Sequence, residues 1–125
     1  MKSTSYSQII KTFNNGISFA HVAYELEKAF KIRNTGIQFN QYWDFESLKS
    51  NISKVEILTI SGLWDNKLLD EAKNLKFIQS IGAGYDQFDL KALKSRGIKL
   101  ANASGCNKNA VSEHAISMML ALTRL

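Results

Sequence analysis

Leu75-Lys76-Phe77-Ile78-Gln79-Ser80-Ile81-Gly82-Ala83-Gly84-Tyr85-Asp86 is the stretch that decides the fold. A short apolar run, rich in β-branched and aromatic residues, ends abruptly on two glycines. That pattern reads as a buried strand running into a tight turn. Working outward, Asp89 is placed to cap a helix. Phe88 and Leu93 sit as a hydrophobic staple around it, and Gly97 stands where such a helix ends. Ile98-Lys99-Leu100-Ala101 is the next strand. Upstream, Val55–Ile60 is another short apolar run, closed by Ser61-Gly62. Asp65 then opens a helix that carries Leu68, Leu69 and Ala72. Strand and helix alternating at this spacing predict a parallel sheet covered on both faces.

The N-terminal third is read on the same rules. Tyr6–Phe13 is expected as a first strand. Residues Ser18 to Phe30 place Phe19, Val22, Ala23, Leu26 and Phe30 at helical spacing, with His21 on that helix at the surface or in packing. Thr35–Phe39 is expected as a second strand, and Asp44 as the cap of a short helix through Leu48. The sum is an α/β fold: a flavodoxin-like, doubly wound parallel sheet of about five strands. Residues 1–125 are expected to form one domain, which is large enough to bury a core.

Composition narrows the function classes. Of the 125 residues, 45% are hydrophobic and 22% charged, an ordinary globular balance that argues against disorder. No apolar run reaches the roughly 18 residues of a membrane span. The polar start Met1-Lys2-Ser3-Thr4-Ser5 does not resemble a signal peptide. A single cysteine fits a reducing compartment, so a cytoplasmic location is expected. The net charge is +5, but the lysines are scattered and no basic stripe interleaves with aromatics. Neither nucleic acid nor membrane is expected as a partner.

Three segments carry candidate chemistry. Gly82-Ala83-Gly84 is not a dinucleotide fingerprint, because the third glycine would fall at Gln87. A strand ending in glycines instead lets the backbone N–H groups of Ala83 and Gly84 approach an anion without side-chain obstruction. The bland alternative is a tight turn and nothing more. Asn107 precedes an apolar helix and reads as its cap, although Asn109 serves equally well and would leave Asn107 free for a ligand. Glu113-His114 does not form a dyad, since helical neighbours point about 100° apart. His114 therefore reads as structural: packing, a hydrogen bond or a domain contact. Cys106 reads as a small buried or pocket-lining residue. Trp64 reads as a pocket wall or a partly buried core residue.

The turn Gly82-Ala83-Gly84-Tyr85-Asp86, the segment Arg96-Gly97-Ile98 and the run Asn107-Lys108-Asn109-Ala110-Val111-Ser112-Glu113-His114 together resemble the D-isomer-specific 2-hydroxyacid dehydrogenases. The likeness is close from about Val55 and only architectural before that. It implies an N-terminal substrate-binding domain whose NAD-binding Rossmann domain lies beyond Leu125. The implied function is the substrate-binding portion of an NAD(P)-dependent oxidoreductase acting on the CH–OH group of small D-2-hydroxy acids, in the manner of glyoxylate and hydroxypyruvate reductases. Ala83, Gly84, Asn107, Ser61 and Gly62 would hold the substrate, and Lys108 would lie near the cofactor. No catalytic residue is expected within residues 1–125, and this part alone is expected to be inactive. Ile60 stands where phosphoglycerate-type members carry an arginine, which points away from a phosphorylated substrate. The last helix, apolar on nearly every side, is expected to be buried and to make a homodimer. The alternative is a non-catalytic flavodoxin-like binding or dimerisation module.

Overall fold

A computed structural model describes residues 15–124. The strand expected over Tyr6–Phe13 lies outside the described residues. The described chain runs β1 (Ile17–Ala20), α1 (Leu26–Lys31), β2 (Phe39–Tyr42), α2 (Phe45–Asn51), β3 (Ile57–Ile60), β4 (Phe77–Ser80), α3 (Leu90–Ser95), β5 (Lys99–Ala101) and α4 (Lys108–Leu122). Two 3-10 turns, Ile52–Lys54 and Asn66–Asp70, precede β3 and β4. All strand pairs are parallel, and the sheet order is β2-β1-β3-β4-β5. The doubly wound order expected from the sequence is therefore present.

The helical reading of Ser18–Phe30 is corrected. Phe19 lies on β1, a strand paired on both sides, and helix begins only at Leu26. The helical spacing of the apolar residues was coincidental: eight ladder positions on two neighbours outweigh a period that spans barely three turns. The second strand begins at Phe39 rather than at Thr35. Asn34 and Gly36, both at positive φ, keep the intervening chain in an irregular turn.

Alternation along the strands sets the two faces of the sheet. Ala20, Leu58, Ile60 and Ile78 point to one face and are fully buried against Leu48, Ile52, Leu68, Leu69 and Leu93. On the opposite face α1 covers the β1–β2 edge: Phe30 packs on Phe19 and Phe39 at ring separations of 5.5 and 5.6 Å. Ile57, Thr59, Phe77 and Gln79 on that face stay half-buried. The expectation of cover on both faces thus holds in full for only one of them.

Local chemistry fixes the turns. Gly16 enters β1 at φ +68°, and a Cβ there would stand 2.0 Å from the carbonyl oxygen of Gln38, so only glycine passes. Helix α3 begins at Asp89, whose carboxylate accepts the N–H groups of Lys91 and Ala92, both at 3.0 Å. It ends in a Schellman motif: Gly97 N–H donates to Lys94 O at 3.1 Å and Ile98 N–H to Leu93 O at 2.9 Å. Gly97 takes the left-handed position that closes it, at φ +70°. The buried Ile98 and Leu93 complete the expected hydrophobic contact. Arg96 clamps this end to the second 3-10 turn through Leu69 O and Asp70. Asp44 caps α2, as expected.

Helix α4 is covered by nothing among the described residues: none of its residues is buried, and Val111, Ile116, Met118, Met119, Leu120 and Leu122 are each more than half exposed. An apolar surround calls for cover, and nothing among the described residues supplies it.

Candidate functional site

In a parallel sheet every strand ends on the same edge, so the loops that follow the strands gather there. Ser61-Gly62 follows β3, Ile81–Asp86 follows β4, and Asn102 follows β5. The loops are stitched together by backbone bonds. Ser61 N–H donates to Ala20 O at 3.4 Å, Ile81 N–H to Ile60 O at 3.0 Å, and Ala103 N–H to Gly82 O at 3.1 Å. Asn102 Nδ2 donates to Ala83 O at 2.8 Å. Below the glycine turn, the buried Ser80 hydroxyl donates to Gly82 O at 3.2 Å. A second clamp is Asn66. Its Oδ1 accepts Trp64 Nε1–H and Asp89 N–H, both at 3.0 Å, while its Nδ2 donates to Gln87 O at 3.0 Å. Trp64 packs against the core beside Phe88, with ring centres 5.2 Å apart.

This frame satisfies the carbonyls of the glycine turn and leaves its donors open. The N–H groups of Ala83 and Gly84 have no acceptor among the described residues, and both residues are exposed. Packing does not demand glycine here. Neither Gly82 nor Gly84 is at positive φ, and a Cβ on Gly84 would meet nothing within 4 Å. Beside the turn, Tyr85, Leu90, Leu100, Ala101 and Asn102 line a hollow of about 250 Å³. That is below the ~300–1,000 Å³ of drug-sized ligand sites and suits a ligand of a few heavy atoms.

The structure brings Ser61, Gly62, Ala83 and Gly84 to one edge of the sheet. Asn107 and Lys108 lie further along, past the turn that follows β5, and both are exposed. No hydrogen bond joins Asn107 to the glycine turn. Asn107 occupies the N-cap position of α4, yet its side chain makes no cap bond. Asn109, offered as the alternative cap, lies inside the helix. Among the strand-to-helix connections, Asp44, Asp65 and Asp89 all accept backbone N–H bonds, and Asn107 does not.

Cys106 is exposed rather than buried. His114 is likewise exposed and takes no part in the hydrophobic core. Ile60 is fully buried in the core, so its position carries no charge toward the strand ends. No group of three His, Cys, Asp or Glu among the described residues is arranged to hold a metal ion. Among the described residues, Asp44 is the one group whose ionisation is clearly displaced. The Ser47 backbone N–H and then the Ser47 hydroxyl hold its carboxyl below the ordinary value of 3.8.

Sequence reasoning missed two residues at this edge. Asn102 ties β5 to the glycine turn, and an Asn directly after a strand was the available signal. His21 was placed on a helix, whereas it directly follows β1, half-buried at the end of the sheet.

Residues 18–124 match the family described as D-isomer specific 2-hydroxyacid dehydrogenase, catalytic domain. The chain belongs to that family. Over 81 residues it is 38% identical to a D-3-phosphoglycerate dehydrogenase of Archaeoglobus fulgidus, a match that covers 63% of this chain and 15% of that protein. Over 60 residues it is 47% identical to an erythronate-4-phosphate dehydrogenase of Shewanella loihica, covering 48% and 16%. Among solved structures it superposes on a D-lactate dehydrogenase of Treponema pallidum with TM-score 0.67 and 24% identity, over 86% of this chain and 36% of that one. An NAD-dependent formate dehydrogenase of Staphylococcus aureus gives TM-score 0.67 and 23% identity, over 83% and 37%. The structural likeness concerns the fold. The chain spans about a sixth of the length of these curated relatives and about a third of these solved chains.

Proposed function

We propose that this member of the D-isomer-specific 2-hydroxyacid dehydrogenase family is the substrate-binding portion of an NAD(P)-dependent oxidoreductase acting on small D-2-hydroxy acids and their 2-keto partners. The observation that carries the reading is the pair of open N–H donors on the exposed Ala83 and Gly84, set at the strand ends near Ser61 and Gly62. These donors grip the substrate carboxylate. Asn107, free of its capping duty, faces the carboxylate or carbonyl, and Lys108 borders the cofactor. Bound NAD or NADP supplies the hydride acceptor at nicotinamide C4. Gly82-Ala83-Gly84 followed by Gln87 is no cradle for its pyrophosphate, so only the contact at Lys108 is assigned to this chain.

Magnitudes limit what residues 1–125 do by themselves. Two charge-assisted hydrogen bonds contribute about 1.5–3 kcal/mol each, and about −4 kcal/mol corresponds to millimolar affinity. Glycolate is therefore expected to bind the chain in the millimolar range and to shift the amide resonances of Ala83 and Gly84. The absence of such shifts at tens of millimolar would sink the assignment. No oxidation of NADH with glyoxylate is expected from the chain alone, and turnover by pure protein would contradict it. The buried, uncharged Ile60 favours a non-phosphorylated acid. Tighter binding of 3-phosphoglycerate than of glycolate would reverse that preference.

The exposed apolar helix α4 favours a second reading, association through this helix. A homodimer formed on α4 is expected, and sedimentation as a monomer at micromolar concentration would count against it. A chain that dimerises while its glycine-turn amides ignore every 2-hydroxy acid would be a dimerisation module of the same fold.

A further inference from the structure

His21 holds a position that neither its sequence context nor the family likeness assigns a role. Its backbone N–H donates to Tyr42 O at 3.2 Å, which extends β1 by one residue. Ala20 stands opposite Ile60 in the β1–β3 ladder, so His21 falls opposite Ser61. Alternation sends both side chains to the side of Phe19 and Thr59. His21 and Ser61 are thus lateral neighbours at the strand ends, with the glycine turn on the next strand along, β4.

The ring is fixed in place. Its Nδ1 accepts two backbone N–H groups, from Ala23 at 3.0 Å and Tyr24 at 2.9 Å. Its face stacks on Tyr24, with ring centres 4.0 Å apart and planes 3° apart. A ring nitrogen that accepts hydrogen bonds carries no proton, so the proton of the neutral imidazole is on Nε2. That N–H has no acceptor among the described residues. The turn uses one nitrogen and leaves the other as an oriented donor.

Resting on the substrate site proposed above, we infer that His21 is a specificity-determining residue: its Nε2–H binds an oxygen on C3 of the acid whose carboxylate lies on the glycine turn. Strands β1 and β4 are two spacings apart, about 9.5 Å between their axes, which puts His21 and the glycine turn on strands separated only by β3. The site therefore prefers a three-carbon acid with a C3 hydroxyl to one with a C3 methyl.

The test compares D-glycerate with D-lactate as ligands of the uniformly 15N-labelled chain, in mildly alkaline buffer. Amide shifts of Ala83 and Gly84 report carboxylate binding, and long-range imidazole correlations report the tautomer. The expected result has three parts: the His21 proton on Nε2, glycerate bound about three- to tenfold more tightly than lactate, and a ring shift with glycerate only. The informative variant is His21→Asn. Asparagine still accepts N–H groups two and three residues on, as an Asx turn, but it loses the distant donor. Its glycerate preference should vanish while lactate affinity stays unchanged. A proton on Nδ1, equal affinity of the wild type for the two acids, or an undiminished preference in His21→Asn would overturn the inference and leave the site reading intact. Silence of the Ala83 and Gly84 amides toward both acids would overturn the site reading and this inference with it.

Discussion

The two edges of the sheet are built from the same strands and end in opposite states. At the N-terminal edge the polar groups are consumed by one another. Glu56 O accepts both Lys76 N–H and Phe77 N–H, the buried Glu56 carboxylate pairs with Lys76 at 3.3 Å, and Asn15 Nδ2 donates to Lys54 O at 2.8 Å. Gly16 there presses on the Gln38 carbonyl. At the C-terminal edge an equally bonded frame, made by Asn66, Asp89 and Asn102, holds up an exposed glycine turn whose Ala83 and Gly84 N–H groups have no acceptor among the described residues. An edge that closes on itself stabilises the fold. If the proposed substrate site is right, an edge already bonded into a frame has little ordering entropy left to lose when a ligand arrives.

One substitution made at both edges breaks or sharpens this contrast. Gly16→Ala forces a side chain into a left-handed conformation and onto a backbone oxygen, so a loss of about 2 kcal/mol or more is expected in urea unfolding. A smaller loss would mean that the N-terminal edge is looser than described. Next in size, Asp89→Ala removes two cap bonds from the frame under the site and should lower stability by about 1 kcal/mol. An unchanged midpoint would show that the Asn66 clamp holds this turn alone. Gly84→Ala meets no neighbour, so its stability should stay within about 0.5 kcal/mol of the wild type. A methyl group added beside the proposed carboxylate site is expected to lower glycolate affinity several-fold. Full retention of affinity would place the carboxylate elsewhere.

The smallest expected effect concerns pH. The Asp44 carboxyl is held below its ordinary value by bonds from Ser47, so the folded state binds its proton less readily than the unfolded chain does. Its contribution to stability is present above 3.8 and is lost as pH falls through the lower folded value. Asp44→Asn should therefore flatten the acid limb of a stability–pH curve, being slightly less stable than the wild type at neutral pH and converging with it in acid. An identical acid limb in the variant would show that this cap does not titrate with folding.

Much of this was legible in local sequence. The run Leu75–Asp86, the capped segment Asp89–Gly97 and the strand Ile98–Ala101 read correctly, because each carries its own stop signal in a glycine, an aspartate or a β-rich run. The segment from Ser18 to Phe30 did not. Its residues satisfy a helical period by accident, and only pairing with β2 and β3 reveals a strand. That error hid His21, whose position at a strand end follows from the register and not from its neighbours in sequence. Helix α4 was read correctly as a helix that needs cover, but its periodicity reports what a surface needs and not what covers it.

The sequence by itself determined the alternation of strand and helix, the caps, the glycine turn and the family, because these depend on contacts within a few residues or on motifs. Only the tertiary structure decided which donors remain open. Whether the N–H groups of Ala83 and Gly84, the side chain of Asn107 or the Nε2 of His21 is spent depends on what the fold brings beside each one. Hydrogen-bond satisfaction is a property of neighbours in space, and a one-dimensional pattern does not contain it.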